Sequence, residues 1–182
     1  MRFAGLFFTL LILAFAPPLA AAELPPLEVA FSATRSLAGK GKLAVGPYAH
    51  ADGKERWEAT LNGKVRVLIR RPDLDRSFAY EPARGVGKQS ALGDSLIMPP
   101  MNATDRARLK EVGREQMEGE EVTRYEILDS KGTVTFWITD DGIPLRILGA
   151  GDGRQFDIKV TGVVREPQAP ELFEVPAGIA MY

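Results

Sequence analysis

The chain has 182 residues, with 23 Lys and Arg against 24 Asp and Glu, and it contains no cysteine. A formal net charge of −1 argues against binding to a nucleic-acid backbone, which proteins contact through an excess of basic side chains. Without cysteine there are no disulfides, so a packed core must stabilise the fold, and a chain of this length is able to form one.

The first 22 residues are typical of a secretory signal peptide. Arg2 precedes an apolar run, residues 6–16, that is too short to span a membrane comfortably, and Ala20-Ala21-Ala22 offers a cleavage site. We expect residues 1–22 to be removed on export, with an uncleaved N-terminal anchor as the alternative. Residues 23–182 then form one domain, and without cysteine they cannot carry a bacterial lipoprotein's lipid anchor.

Most of the remaining sequence alternates between apolar and polar residues, the pattern of β-strands with one buried face. The run RWEATL puts Trp57 and Ala59 on one face, and KVRVLIRR puts Val67 and Ile69 on one face. Asn62-Gly63 lies between these two runs and predicts a hairpin, because both residues tolerate positive φ.

The second half repeats this alternation. RYEIL, TVTFWIT, IPLRIL and RQFDIKVTGV each place apolar residues at every second position, with turn residues between the runs. About ten strands joined by short turns predict a mainly β fold with an antiparallel meander.

Residues 93–113, GDSLIMPPMNATDRARLKEVG, interrupt the alternation. An apolar patch and two prolines precede a short predicted helix over residues 104–111, which Asn102 or Thr104 can cap. We expect this helix to pack on the sheet, because the apolar face of the sheet must be covered.

Two adjacent carboxylates, Asp140 and Asp141, raise the question of a metal or acid/base site. They lie between two alternating runs, with Gly142 and Pro144 directly after them. Asp and Gly favour turns, and Pro is tolerated at the start of a strand. The pattern therefore predicts a turn.

No other motif points to an enzyme. His50 is the single histidine and lies in the polar stretch PYAHADGK, which predicts an exposed loop residue rather than a ligand or base. Asp73 and Asp75 lack the continuation of a calcium-binding loop. The chain contains no zinc-ligand constellation, nucleophile elbow or phosphate-binding loop. We expect a protein without cofactor, metal or catalytic activity.

The predicted buried face is rich in aromatic residues, and two interpretations follow. Either these side chains fill a closed core, or part of the face is a cavity for an apolar ligand. In the second case a mobile lid covers the cavity. Its methionines suit this role, because methionine adapts to varied apolar partners, and an apolar pocket suits a lipid-like ligand. The lid residues are Leu96, Ile97, Met98 and Met101. The inward-facing aromatic set is Phe31, Trp57, Phe78, Tyr80, Tyr125, Phe136 and Phe156.

Seven stretches follow one another over residues 27–182: GKLAV, ERWEATLNGK, VLIRRPDLDRSFAYEP, IMPPM, GTVTFWITDDGIPLRI, IKVTGV and LFEVPAG. Their order resembles the LolA/LolB-like superfamily of periplasmic carriers of outer-membrane lipoproteins, especially its uncharacterised secreted relatives. The most specific stretches are GTVTFWITDDGIPLRI and LFEVPAG.

This resemblance implies a strongly curved antiparallel half-barrel, an unclosed β-barrel, with a short helical cover on its concave face. It implies that the concave face binds acyl chains or other apolar groups in the periplasm. Face parity assigns the cavity lining to nine residues: Phe31, Trp57, Val67, Ile69, Phe78, Tyr80, Phe136, Leu145 and Phe156.

The first functional hypothesis is therefore a periplasmic carrier of lipids or lipidated proteins. The alternative is a non-enzymatic scaffold or protein-interaction module of the envelope, with a filled core and an exposed sheet edge. A hydrolase would require clustered polar groups in a cleft and is the third hypothesis.

Overall fold

The structure is a computed structural model that describes residues 22–152 and 155–182. The predicted signal peptide lies outside these residues, except for Ala22. Within the described residues no helix is both long and apolar enough to cross a membrane.

Twelve strands of the described chain form one sheet, in the order β12-β6-β5-β4-β3-β2-β1-β11-β10-β9-β8-β7. The strands are β1 (Phe31–Gly39), β2 (Lys42–Ala51), β3 (Lys54–Leu61), β4 (Lys64–Arg71), β5 (Arg76–Glu81), β6 (Val86–Ala91), β7 (Lys110–Met117), β8 (Glu120–Asp129), β9 (Gly132–Ile138), β10 (Pro144–Ala150), β11 (Phe156–Arg165) and β12 (Ala180–Met181).

The sheet is an unclosed half-barrel, as expected from the sequence. All neighbours are antiparallel except β12, which pairs in parallel with β6 through two residues. β1 pairs with β11 and joins the two halves of the chain, while β7 and β12 lie at opposite ends of the sheet.

The tight turns follow from local sequence. Asn62 and Gly63 have φ values of 51° and 73°, which confirms the predicted hairpin between β3 and β4. Asp52-Gly53, with φ values of 51° and 72°, connects β2 to β3 in the same way. These two-residue turns hold neighbouring strands in a fixed register.

The sequence pattern does not predict strands β6 and β7. Most residues of β6 and almost all residues of β7 are exposed, so these strands lack the alternation of apolar and polar residues that marks a half-buried strand. Strand β7 is the last strand at one end of the sheet, and β6 is next to the last strand at the other end. Side chains at these positions have few neighbouring strands to pack against.

The α-helix of the described chain, α1 (Ala103–Arg108), is shorter than predicted. Asn102 caps it: its side chain accepts the N–H of Asp105, and the Asp105 carboxylate accepts the N–H of Asn102 in return. The helix ends at Arg108 because the backbone of Leu109 is extended, and β7 begins at Lys110. The prediction that it reaches Glu111 is therefore wrong.

The sheet buries apolar side chains on both faces. The inner face is covered by the connection between β6 and β7, residues 92–109, which we call the covering segment. The opposite, outer face is covered over β4 and β5 by the C-terminal residues, which include a short 3₁₀ helix, Pro170–Phe173. Phe173 is buried there against Val67, Ile69 and Tyr80.

Candidate ligand-binding face

The inner face presents a continuous apolar row across five strands. Residues directly opposite one another in an antiparallel pair point to the same side, so the register defines the face. The row runs in strand order through Tyr125, Phe136, Ile147, Ile158 and Leu37. Four of these five side chains are buried, which makes this row the centre of one half of the core.

The covering segment closes this face with side chains rather than with regular secondary structure. Ile97 is 1% exposed and belongs to the cluster that contains Phe31 and Trp57. Met98 and Met101 pack against the cluster that contains Phe136. Helix α1 itself has no buried residue. The short helix inferred from the sequence is present in this segment. That Leu96, Ile97, Met98 and Met101 move as a lid stays a prediction.

A buried carboxylate attaches the covering segment to the sheet. Glu55 on β3 is 3% exposed, and its Oε2 accepts the backbone N–H of Leu96 at 2.7 Å and of Ile97 at 3.2 Å. The hydroxyl of Ser95 donates to the same oxygen at 3.1 Å. Arg70 lies 3.5 Å from Oε1 and supplies a positive charge. Buried carboxylates are retained where such donors and charges compensate them.

Two further side chains complete this polar cluster. The Tyr48 hydroxyl donates to Glu55 Oε2 at 3.0 Å. Burial, and then the neighbouring carboxylate, raise the pKa of Tyr48 above its usual value, so the phenol stays protonated. His50 is 3% exposed, lies on β2, and its Nδ1 is 2.8 Å from the carbonyl oxygen of Val29. The predicted exposed loop position of His50 is therefore wrong, because β2 continues to Ala51 and the turn falls at Asp52-Gly53.

A buried cation lies on the inner face beside this cluster. Arg35 is 4% exposed, and its guanidinium carbon lies 3.8 Å from the centre of the Trp57 ring. Burial lowers the pKa of Arg35 to about 10, with the nearby Tyr48 and Glu55 acting in the opposite direction. The stacking on Trp57 is a favourable cation–π geometry.

Two of the cavities that adjoin the covering segment are bordered by Met101. A cavity of about 130 Å³ lies between this segment and the inner face, and Ile127, Phe136 and Phe156 belong to its lining. A more open groove of about 400 Å³ lies between helix α1 and residues 22–24. Met101 borders both, so the apolar face continues on either side of this methionine.

Four of the nine residues assigned to the cavity lining lie on the inner face. Phe31 and Trp57 belong to one cluster under the covering segment, while Phe136 and Phe156 belong to or pack against the other. Four more lie on the outer face, and their assignment to the cavity lining is corrected. They are Val67, Ile69, Phe78 and Tyr80.

The hairpin at Asn62-Gly63 explains this error. A two-residue turn pairs Leu61 with Lys64, so Trp57 lies opposite Leu68, and Val67 lies opposite Glu58. Odd-numbered residues of β3 therefore share a face with even-numbered residues of β4. Val67 in turn lies opposite Tyr80, which places that whole set on the outer face beneath Phe173.

Leu145 lies at a β-bulge. The register between β9 and β10 shifts between Pro144 and Arg146, which leaves Leu145 as the extra residue. It is buried in the cluster that contains Phe31 and Trp57, and it also lines a small depression beside Arg146. Because the bulge interrupts the parity of the strand, the assignment of Leu145 to the cavity lining stays a prediction.

Arg35 and Glu55 were missed by sequence reasoning, although a signal for them existed. Arg35 continues the alternation of Phe31 and Ala33, and Glu55 continues that of Trp57 and Ala59. A charged residue at an inward position of a strand is a candidate for function, because burial without a partner is costly.

The Asp140-Asp141-Gly142 stretch is a turn, as predicted. Gly142 has a φ of 86°, and its N–H donates to the carbonyl of Thr139 at 3.0 Å. Asp141 pairs with Arg165 at 2.6 Å, and Asp140 pairs with Arg114 at 3.2 Å. Both carboxylates have structural partners at the surface.

The sheet and its covering segment define a class: an unclosed β half-barrel whose inner face is covered by a short apolar connection. Solved structures share this fold. An uncharacterized conserved protein from Thermus thermophilus superposes with a TM-score of 0.63 at 14% identity, over 86% of this chain and 91% of that one. MucB, in the Pseudomonas aeruginosa MucA/MucB complex, superposes with a TM-score of 0.56 at 15% identity.

The alignment with MucB covers 84% of this chain and 57% of MucB, so the chain spans little more than half of that protein. A separate MucB structure gives a TM-score of 0.52 at 14% identity, over 85% of this chain and 60% of that one. At these identities the similarity shows the fold. No protein-family model and no curated protein matches the sequence.

Proposed function

We propose that this chain is a non-enzymatic periplasmic binding protein. Its inner face takes up an acyl chain or a similar apolar group when the covering segment moves away. This agrees with the resemblance to the LolA/LolB-like carriers, and it makes lipids or lipidated proteins the expected ligands. The periplasmic location is part of the proposal and rests on the signal-peptide pattern of residues 1–22.

The observation that carries the proposal is the way in which the inner face is covered. Leu96, Ile97 and Met98 contact it from a stretch without helix or strand, and the helix that follows buries no side chain. The apolar contacts of such a stretch are of the kind that an acyl chain makes. An acyl chain could therefore replace them with little loss of buried apolar area.

At Ser95–Ile97 the polar attachment of the covering segment is compact enough to be reversible, and further side-chain bonds to the sheet lie at Gly93, near the start of the segment. The main-chain bonds to Glu55 come from two adjacent residues, Leu96 and Ile97, and the third bond comes from the Ser95 hydroxyl. Opening would expose these groups to water, which replaces the bonds. The sheet remains intact, because none of the ladders in the described chain includes the covering segment.

A protein-interaction module is the second candidate function. Within the described residues β7 pairs with β8 alone, which leaves its other edge available to a strand from a partner. MucB, which has a similar fold, forms a complex with MucA. In this alternative the inner face is a permanently filled core.

The two tryptophans allow a direct test, because they lie on opposite faces and are the only two in the chain. Trp57 is 5% exposed on the inner face. Trp137 lies opposite Arg146, one position from the inner-facing Phe136, and so points to the outer face, with its Nε1 2.8 Å from Glu115 Oε1. The variant Trp137→Phe leaves Trp57 as the single tryptophan. Trp57→Phe leaves Trp137 and is the matched control.

Residues 23–182 of each variant would be titrated with dibromostearates brominated either next to the carboxylate or at mid-chain, whose bromines quench tryptophan on contact, and with unbrominated stearate. We expect dibromostearate to quench Trp57 and to leave Trp137 unchanged. Quenching of neither tryptophan, or of both equally, would contradict uptake on the inner face. The interaction module would then be the better hypothesis, with partner capture tested on the β7 edge.

A further inference from the structure

Three N–H donors on the inner face have no acceptor. Nε and Nη1 of Arg35 and Nε1 of Trp57 are buried, and no hydrogen-bond partner for them is present in the described part of the chain. A buried donor without a partner costs free energy, and most buried polar groups in proteins avoid this state. These three donors belong to two side chains that touch each other.

The local charge is also unbalanced. Arg35 and Arg70 each carry a positive charge, and Glu55, which lies 3.5 Å from Arg70, is the carboxylate that acts electrostatically on Arg35 as well. Tyr48 is neutral because burial raises its pKa. One positive charge therefore remains uncompensated in a largely apolar environment, where a single negative charge would be strongly attracted.

The unpaired donors lie on the same face as the cavity under the covering segment. Arg35 and Gly39 are four residues apart on β1, a distance of about 13 Å along a strand. Gly39 lies opposite Phe156, which lines that cavity. A long acyl chain in the cavity can therefore extend to Arg35 along the apolar inner face, past Leu37 and Ile158.

We propose that Arg35 and Trp57 form the headgroup subsite for a singly charged anionic amphiphile, with its carboxylate or phosphate oxygen at the unpaired N–H groups. This inference rests on the proposed function and adds to it the chemical class of the ligand. The anion would neutralise the excess charge and accept the unused hydrogen bonds. Ile97, which packs in the same cluster as Trp57, would leave when the covering segment opens.

The test compares ligands that share one chain and differ in charge. Palmitate, palmitoyl-lysophosphatidylglycerol and uncharged hexadecanol would be titrated calorimetrically into residues 23–182 of the wild type. Both anions should bind at least about tenfold more tightly than hexadecanol, since a charge-assisted hydrogen bond contributes that much. The tighter of the two anions identifies the headgroup as carboxylate or phosphodiester.

Arg35→Met is the test variant, because methionine fills a similar volume without the charge. Its preference for palmitate over hexadecanol should disappear, while its affinity for hexadecanol stays unchanged. Arg66→Met is the matched control: Arg66 lies opposite Ala59 and so shares the face of Trp57, but it is exposed. It should keep the wild-type preference.

The outcomes separate the two proposals. Equal binding of all three ligands by the wild type would overturn the headgroup subsite and leave the proposed function standing. An Arg35→Met protein that is less stable but retains the preference for anions would show that Arg35 is structural, and would also overturn the subsite. Binding of none of the ligands would overturn both proposals.

Discussion

Oε2 of Glu55 accepts the backbone N–H of Leu96 at 2.7 Å, which attaches the covering segment to strand β3. The Glu55→Gln substitution keeps the shape and removes the charge. We expect it to lower the free energy of unfolding by about 2 kcal/mol, because charge-assisted bonds weaken and nearby arginines lose their counter-charge. Urea denaturation would measure this loss.

The same variant tests how the covering segment is held. Hydrogen exchange at the amides of Leu96 and Ile97 should accelerate, whereas amides in the centre of β10 should change only by the global loss of stability. Glu28→Gln is the control, because Glu28 is exposed and lies outside the polar cluster. Unchanged exchange at Leu96 would contradict the role assigned to Glu55.

The C-terminal cover of the outer face yields a second prediction. Phe173 is 2% exposed and packs with Val67, Ile69 and Tyr80, although about 100 residues separate it from them in sequence. Phe173→Ala should cost about 3–5 kcal/mol in thermal or urea unfolding, as large cavities in cores do.

The Phe173→Ala variant also tests which face of the sheet binds the ligand. At temperatures where it remains folded, it should take up dibromostearate like the parent protein, because Phe173 lies on the outer face. Tyr182→Ala, at a side chain that is 80% exposed, serves as the control for stability. Loss of ligand uptake in folded Phe173→Ala would contradict binding on the inner face.

A third prediction concerns the turn between β9 and β10. A Cβ added at Gly142 would lie 2.3 Å from the carbonyl oxygen of Pro26, and the φ of 86° disfavours other residues. Gly119 has a similar φ of 82°, but an added Cβ there would meet nothing within 4 Å. Gly142→Ala should therefore be less stable than Gly119→Ala by about 1–3 kcal/mol, the usual cost of overpacking.

Urea denaturation of the two alanine variants measures that difference directly. Both carry the backbone strain, so the difference reports the contact with residues 26–27 alone. Equal stabilities of the two variants would show that residues 26–27 do not pack closely against the turn at Gly142.

The fourth prediction concerns acid stability. Hydrogen bonds from Arg165 lower the pKa of Asp141 below its ordinary value of 3.8. The unfolded chain therefore takes up this proton first as the pH falls. Ionised Asp141 stabilises the fold at pH values above 3.8, and this contribution is lost as the pH drops toward the lower folded-state pKa.

Asp141→Asn should therefore reduce stability at neutral pH and flatten the decline of stability below about pH 4. Asp94→Asn, at an exposed position, is the control and should retain the wild-type pH profile. An unaltered acid decline in Asp141→Asn would show that the pairing with Arg165 contributes nothing to acid sensitivity.

Sequence reasoning succeeds where the physical cause is local. Asn62-Gly63 and Asp141-Gly142 form turns because Asn, Asp and Gly tolerate the required backbone angles wherever they occur. The apolar alternation of strands such as β9 and β11 reflects burial of one face, and it predicts the mainly β class. Strand β7 is not predicted from the sequence, because almost all of its residues are exposed and no apolar alternation marks it.

The site is less predictable, because alternation separates two faces without telling which is the inner one. Val67 is odd-numbered like Trp57, yet it lies on the opposite face because the two-residue turn reverses the parity of residue numbers. Tyr80 lies opposite Val67 and therefore shares its face. The polar residues around His50 indicate a loop, yet β2 extends through this histidine and buries it.

By itself the sequence determined the turns, the strand-rich class and the presence of an apolar stretch before the helix, since each depends on residues close together in the chain. Only the tertiary structure decided which apolar residues face the covering segment and which face the C-terminal cover. It alone brought Arg35, Glu55 and Trp57 together, because register across β1, β2 and β3 places them on one face. The partners of a buried charge are a property of that packing, and no local pattern encodes them.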